Sequence, residues 1–454
     1  MSFETENNII NLVQRAKNAQ LSINNLSENK INKILRHILK IILDKKNNFY
    51  LSEMAVNETK FGNISDKIKK NQYKTENLVN EIKQLKIFKP YFNKEKNIYE
   101  IYKPIGLICG VTPSTNPVAT SLNYIINAIK GRNSIIICPN PRSYNTTSEL
   151  IKIIKKTLLL NNFSQHIVNI APKEILRSDS IIKLFDMCDK NIVTGSKFFI
   201  SAVKKSIKPY LVFGAGNVPV LIDDKVNLSR ASKMIIESKT FDYSTSCSAD
   251  SVLIISQIIY DRFIHELKKN YVYILNHNEK KKLDKIYYKR GVINTEIIAK
   301  DPAQILDKIG IKTKTKVKLI GYEFSSSFLD HYIMNEKILP LIGITKSKDI
   351  SHAIKLANNV LNLNGKGHSA GIYSNNKKNI INFSLNVPVS RIIVNQSHSK
   401  SAGGNKNNAL KTTLSLGCGN WGNNIINDNL SLKDFCNITK VVFTEKNIKK
   451  NNFY

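Results

Sequence analysis

Apolar runs of strand length, each closed by a turn and followed by a helical pattern, are the strongest constraint on how this chain folds. Gly106-Leu-Ile-Cys-Gly-Val111 leads into Thr112-Pro-Ser-Thr-Asn-Pro117 and a helix from about Val118 to Lys130. Ser134-Ile-Ile-Ile-Cys138 leads into Pro139-Asn-Pro-Arg142 and a helix through about Leu159. The runs do not alternate, as suits strands covered on both faces. Strand, turn and helix in repetition predict a parallel sheet with crossover helices. Gln165 to Ile170 is a further strand candidate. After Cys247 the pattern returns, with strands over Ser251 to Ser256 and Leu339 to Thr345. Upstream, Ile31, Ile34, Leu35, Ile38, Leu39 and Ile42 recur at helical spacing behind Ser27, a candidate N-cap. We therefore expect two α/β lobes with a boundary near 229–239.

At 454 residues the chain is long enough for two or three domains. Its net charge of +33 is unusual and raises nucleic-acid or membrane binding as a rival function. The lysines are spread along the chain, however, and clusters such as Lys280-Lys-Lys282 read as solvated faces. No nucleic-acid or membrane partner is expected. Six scattered cysteines show neither a CxxC pair nor zinc spacing, so no metal is expected. The polar start Met1-Ser-Phe-Glu-Thr-Glu does not resemble a signal peptide, and no apolar run is long enough to span a bilayer. A cytoplasmic protein with reduced thiols is expected.

One thiol stands out. Cys247 lies in Lys239-Thr-Phe-Asp-Tyr-Ser-Thr-Ser-Cys-Ser-Ala-Asp250, a small polar turn before an apolar strand. Such a turn gives a nucleophile access to substrate and surrounds it with backbone N–H groups. Taken alone, Cys247 reads more readily as a buried structural thiol than as a nucleophile. Asn116 reads as an oxyanion donor or an Asx-turn. His368, flanked by glycines in Gly365-Lys-Gly-His-Ser-Ala-Gly371, reads as a cleft residue or a loop histidine. Glu336 reads as a ribose ligand, a base or a solvated acid. Ile192-Val-Thr-Gly-Ser196 opens a helix whose N-terminus suits a phosphate. Phe213-Gly-Ala-Gly-Asn-Val-Pro219 is a Gly-rich turn before the strand Val220-Leu-Ile222.

The order of these pieces is more specific than any one of them. Together with Glu336-Lys-Ile-Leu-Pro340, Arg391-Ile-Ile-Val-Asn-Gln-Ser-His398 and Leu416-Gly-Cys-Gly-Asn-Trp-Gly422, they resemble the aldehyde dehydrogenase superfamily. The likeness is strongest to its CoA-acylating branch, in particular the acylating sulfoacetaldehyde and acetaldehyde dehydrogenases. It implies an aldehyde dehydrogenase-like α/β fold. A Rossmann-type cofactor domain would span 1–235, with a hairpin arm near 96–104. A catalytic domain would span 236–425 and a C-terminal arm or tail 426–454, the last residues, Asn447 to Tyr454, being frayed. A homodimer or homotetramer would follow.

The resemblance also assigns roles. Cys247 would be the nucleophile, Asn116 the oxyanion donor and His368 a histidine of the CoA step. The cofactor would lie along Thr112, Pro113, Ser114 and Thr115, close to Gly195, Ser196 and Gly214, with Glu336 holding the nicotinamide ribose. Asn140 and Arg142 would lie at the adenosine ribose; NAD is favoured, and an arginine there leaves NADP open. Lys400 to Gly404 and His398 would line a mouth for an anionic aldehyde. One departure is informative. Hydrolytic relatives carry a glutamate base in the turn that here reads Val212-Phe-Gly-Ala-Gly216, and this turn has no acid. Water would be poorly activated, so the acyl group is expected to leave on CoA. The expected substrate is sulfoacetaldehyde. Acetaldehyde or another short aldehyde, reverse acyl-CoA reduction, and a non-catalytic basic protein on the same fold are the alternatives.

Overall fold

The computed structural model describes residues 3–83, 85, 87, 89–93, 95, 97–289, 292–325 and 331–444. The frayed end expected over Asn447 to Tyr454 lies outside the described residues, as does position 96 of the expected arm.

Four helices open the chain, Phe3–Asn24, Glu28–Ile42, Lys45–Thr59 and Ile64–Ile82. Each of the last three begins at a side-chain cap. Ser27 Oγ accepts from the Lys30 N–H at 3.4 Å, Asp44 from that of Lys46 at 3.0 Å and Asn63 from that of Asp66 at 2.9 Å. Glu28–Ile42 buries the periodic stripe Ile31, Ile34, Leu35, Ile38 and Ile42. The inward side of Ile64–Ile82 is different: it buries Lys67, Lys70, Asn71 and Lys74 along with Leu78 and Ile82.

The first parallel sheet has five strands, in spatial order Val168–Ile170, Ser134–Pro139, Leu107–Thr112, Lys190–Thr194 and Tyr210–Phe213. Leu107–Thr112 and Ser134–Pro139 are buried along their whole length, which explains their unbroken apolar character. The chain adds strands outward on one side of Leu107–Thr112, then returns to add Lys190–Thr194 on the other. This is a topological switch point, where open α/β sheets bind ligands beyond the strand carboxyl ends. The candidate strand over Gln165 to Ile170 is shorter than expected: its first half, Gln165–Ile167, is a 3-10 turn capped by Ser164.

The second parallel sheet has seven strands, in order Val272–Ile274, Leu319–Glu323, Leu341–Ser347, Asp250–Ser256, Val218–Ile222, Ala370–Tyr373 and Ile392–Val394. The chain passes from one sheet to the other between Phe213 and Val218, upstream of the passage expected near 229–239. The expected segment is instead part of a crossover helix, Leu228–Thr240, which joins two neighbouring strands of the second sheet. A third, antiparallel sheet pairs Ile98–Pro104 with both Tyr91–Asn93 and Cys436–Val441. No helix among the described residues is long and apolar enough to cross a membrane.

Candidate active site

Cys247 follows a strained turn. Asp242, Tyr243 and Ser244 have φ of 52°, 49° and 67°, three successive non-glycine residues in the left-handed region. Such a run persists only when its surroundings hold it. The Asp242 carboxylate does the holding. It accepts from the Asn63 N–H at 3.0 Å, Lys67 Nζ at 3.1 Å, Lys70 Nζ at 2.5 Å and Thr245 Oγ1 at 2.6 Å. The Asp242 N–H donates back to Asp66 Oδ2 at 2.9 Å. Burial opposes the charge on Asp242, but Lys70 and Lys67 outweigh it and hold the carboxyl below its usual range. The turn before the thiol is thus pinned to the helix Ile64–Ile82.

Lys70 also reaches Asn116. That asparagine stands at the start of the helix Pro117–Lys130, and its side chain makes no capping bond, so the Asx-turn reading does not hold. Its Oδ1 accepts from Lys70 Nζ at 2.7 Å. With the carbonyl end gripped, the amide N–H2 is left with long contacts, 3.3 Å to Thr115 Oγ1 and 3.5 Å to the Thr245 carbonyl. A donor is therefore presented to the cavity that Asn116 and Cys247 both line, which measures about 820 Å³.

His368 Nε2 lies 3.4 Å from Cys247 Sγ. The loop that carries the histidine turns through Gly365 and Gly367, at φ of 86° and 78°. Behind it runs a short chain of contacts: His368 Nδ1 is 2.8 Å from Ser369 Oγ, which is 2.9 Å from His398 Nε2. Arg391 holds the loop by donating to the His368 carbonyl at 2.7 Å. Burial, then the Arg391 charge, push the His368 imidazole well below its usual range, and the same two causes bring His398 down to about 3. Both rings are neutral at pH 7. Burial pushes the Cys247 thiol up to about 12, with the Glu336 carboxylate adding to the shift. The resting pair is therefore a protonated thiol beside a neutral imidazole, able to pass a proton when an electrophile arrives. His398, expected at the substrate mouth, is buried instead as the end of this chain. Residues 400, 401 and 403 do line the cavity.

The Gly-rich turn packs directly on Cys247. A Cβ on Gly216 would overlap the Cys247 carbonyl oxygen and come within 3.1 Å of His368 Cε1. Beyond Gly214, by contrast, a Cβ meets nothing within 4 Å. The Gly216 N–H also supports Glu336, whose carboxyl is pushed up to about 7 by burial and partly restored by Lys239.

The remaining expected positions follow the strand ends at the switch point. Thr112 ends its strand, and its carbonyl accepts from the Asn140 N–H at 2.9 Å. Gly195 has φ of 141°, a conformation suited to glycine, and its loop lies against Pro113. Ser196 precedes the short helix Lys197–Val203 without a capping bond. Asn140 Oδ1 accepts from the Arg142 N–H at 3.0 Å, which leaves the Arg142 side chain exposed. Ser114, Thr115 and Gly214 complete the loops on this edge. Lys67, Lys70, Asp242 and Ser369 were not foreseen, because lysines at helical spacing carry the same signature as a solvated face. Among the described residues no group of His, Cys, Asp or Glu could hold a metal ion.

A family model described as the aldehyde dehydrogenase family matches residues 1–283. This chain belongs to the aldehyde dehydrogenase family. It is 31% identical over 435 residues to an acylating sulfoacetaldehyde dehydrogenase of Bilophila wadsworthia, covering 94% of this chain and 93% of that one. It is 29% identical over 448 residues to an acetylating succinate-semialdehyde dehydrogenase of Clostridium kluyveri, covering 98% and 97%. Among solved structures it is similar to an acetylating aldehyde dehydrogenase from Geobacillus thermoglucosidasius, with a TM-score of 0.91 and 31% identity over 97% of both chains. This aldehyde dehydrogenase thus shares the α/β fold of the acetylating enzymes, with His368 as the neighbour of its cysteine.

Proposed function

We propose that this protein is a CoA-acylating aldehyde dehydrogenase whose acyl carrier is Cys247. The observation that carries this reading is the pairing of Cys247 with a neutral imidazole, next to a glycine turn that has no acid and no room for one at Gly216. Cys247 gives its proton to His368 Nε2 as Sγ attacks the aldehyde carbon. The developing oxyanion takes hydrogen bonds from the Asn116 amide and the Cys247 N–H. The switch-point crevice, the positive φ of Gly195 and the open space at Gly214 fit a nicotinamide dinucleotide along Thr112 to Thr115. Held there, such a cofactor would supply the hydride acceptor, so that the thiohemiacetal on Cys247 becomes an acyl thioester. Once His368 has released that first proton to solvent, the CoA thiol attacks the thioester and passes its own proton to His368 Nε2, which returns it to the departing Cys247 thiolate. Glu336 is read as the ribose ligand, NAD as the favoured cofactor with NADP possible beside Arg142.

Sulfoacetaldehyde is the favoured substrate, supported by the name of the Bilophila relative; acetaldehyde, another short aldehyde or the reverse reduction of an acyl-CoA are the rivals. A nucleophilic thiol needs a reducing compartment, which supports a cytoplasmic location. The three-stranded sheet exposes Ile438 and Val442 near its edge and supports a homodimer or homotetramer. The division proposed is 1–235, 236–425 and 426–454, its first segment including one strand, Val218–Ile222, that belongs to the second sheet. The test is NADH formation from short aldehydes with and without CoA, with the product identified by mass spectrometry. Acyl-CoA is expected. A free acid formed equally well without CoA would overturn the reading.

A further inference from the structure

The cavity in front of Cys247 is strongly cationic. Six lysine and arginine side chains line it against one carboxylate, Glu237, and that carboxylate is engaged by Lys400 at 2.6 Å. One of the six is unlike the rest. Lys74, on the helix Ile64–Ile82, is only 7% exposed, and its Nζ donates to the carbonyls of Gly403 at 2.8 Å and Gly404 at 3.2 Å. No ion pair of the described residues includes it. An ammonium has three donors, so one N–H remains. Lys67 and Lys70, on the same helix, share the one carboxylate of Asp242. Lys74 is the buried cation of this helix that has no counter-charge, and it shares the cavity with the nucleophile. A buried charge is retained at a cost unless something pairs it.

We propose that Lys74 determines substrate specificity by binding the anionic tail of a short aldehyde, a sulfonate or a carboxylate, while the aldehyde end meets Cys247. This rests on the catalytic reading above and deepens it. The incoming anion supplies the charge that the protein withholds from Lys74. Arg230 and Lys406 at the cavity wall, which form no ion pair among the described residues, add long-range attraction for the same sign of charge. Burial, with help from the Lys70 cation, lowers the Lys74 ammonium to about 7, so an anion bound beside it also favours its protonated form.

The test is Lys74→Met, close in length and uncharged, compared with the unsubstituted enzyme on sulfoacetaldehyde, succinate semialdehyde and propionaldehyde in the presence of CoA and NAD. The ratio of kcat/KM for each anionic aldehyde over propionaldehyde is expected to fall about 10- to 100-fold, mainly through KM, as for loss of a charge-assisted contact. The two anionic aldehydes separate a sulfonate from a carboxylate preference. An unchanged ratio, or equal losses on all three aldehydes, overturns the inference. A second readout does not need turnover: thermal stabilisation by isethionate, a sulfonate without an aldehyde, is expected in the unsubstituted protein and lost in Lys74→Met. Isethionate stabilising both proteins equally, or neither, also overturns it. An enzyme that makes acyl-CoA with an unchanged ratio refutes Lys74 alone. Selective isethionate binding without any CoA-dependent turnover would instead retain Lys74 and refute the catalytic reading.

Discussion

His368 Nε2 stands 3.4 Å from Cys247 Sγ, and it is the titratable side chain in hydrogen-bond reach of that sulfur among the described residues. The contact joins two distant stretches of chain, the turn after Leu228–Thr240 and the glycine loop before Ala370–Tyr373. Each group alone is inert at neutral pH: the thiol is held protonated and the imidazole neutral. In the proposed mechanism they together form a nucleophile that is generated at the moment of attack.

Replacing His368 by Ala is therefore expected to lower kcat by about 100- to 10,000-fold, the usual worth of a positioned general base. Alkylation of Cys247 by iodoacetamide should slow in parallel. His398→Ala, which removes the far end of the Ser369 link, should have a smaller effect and should broaden the pH profile of alkylation. Full activity of His368→Ala would remove the imidazole from the mechanism.

Lys70 touches both halves of the site. Lys70→Met is expected to release Asn116 and leave Asp242 short of one of its two cations. Because Lys67 still pairs with Asp242, the cost is expected to be about 1–3 kcal/mol, that of lost charge-assisted hydrogen bonds, readable by chemical denaturation. Asn116→Ala should instead spare stability and lower kcat by about 100- to 1,000-fold, as for loss of one oxyanion donor. Equal stability losses in the two variants would contradict the division of labour.

Gly216→Ala adds one methyl group where the Cys247 carbonyl already stands. Something must shift, and overpacking of this kind costs about 1–3 kcal/mol. Because the displaced atoms flank the nucleophile, activity should fall further than stability. Gly214→Ala, with open space before it, should be far milder in melting temperature, and a comparison of the two melting curves checks this.

Lys74→Met should stabilise the protein, and the gain should depend on pH. The folded-state ammonium of Lys74 is lowered to about 7, below its ordinary value of 10.5. Below pH 7 the lysine is charged in both states and burial imposes its full cost. Between pH 7 and 10.5 the unfolded chain binds the extra proton, so stability rises with pH and the cost fades. The gain from Lys74→Met is thus expected to be a few kcal/mol near pH 6, on the order set by the shift, and small near pH 10. Denaturation midpoints across that range measure it.

Much of this was readable in the chain. The unbroken runs Leu107–Thr112 and Ser134–Pro139 announced a parallel sheet because strands covered on both faces have no polar side to reveal. The turn residues between them placed Thr112 to Asn116 and Gly195 at strand ends, and the motif order singled out Cys247, Asn116 and His368. These are properties of local pattern, and local pattern is written in the sequence. The passage between the two sheets was misplaced because Leu228–Thr240 is polar enough to resemble a linker and is a helix only by packing on the second sheet.

What the sequence alone determined, then, was the α/β architecture, and it singled out the groups proposed to react. Tertiary structure decided what those groups can do. The left-handed run at Asp242 to Ser244, the two lysines on its carboxylate, the proton partner of Cys247 and the cation at Lys74 all depend on residues far apart in the chain. Lysine at helical spacing looks the same in sequence whether it faces water or a buried carboxylate. Its charge acquires meaning only from the dielectric and the partners that folding puts around it.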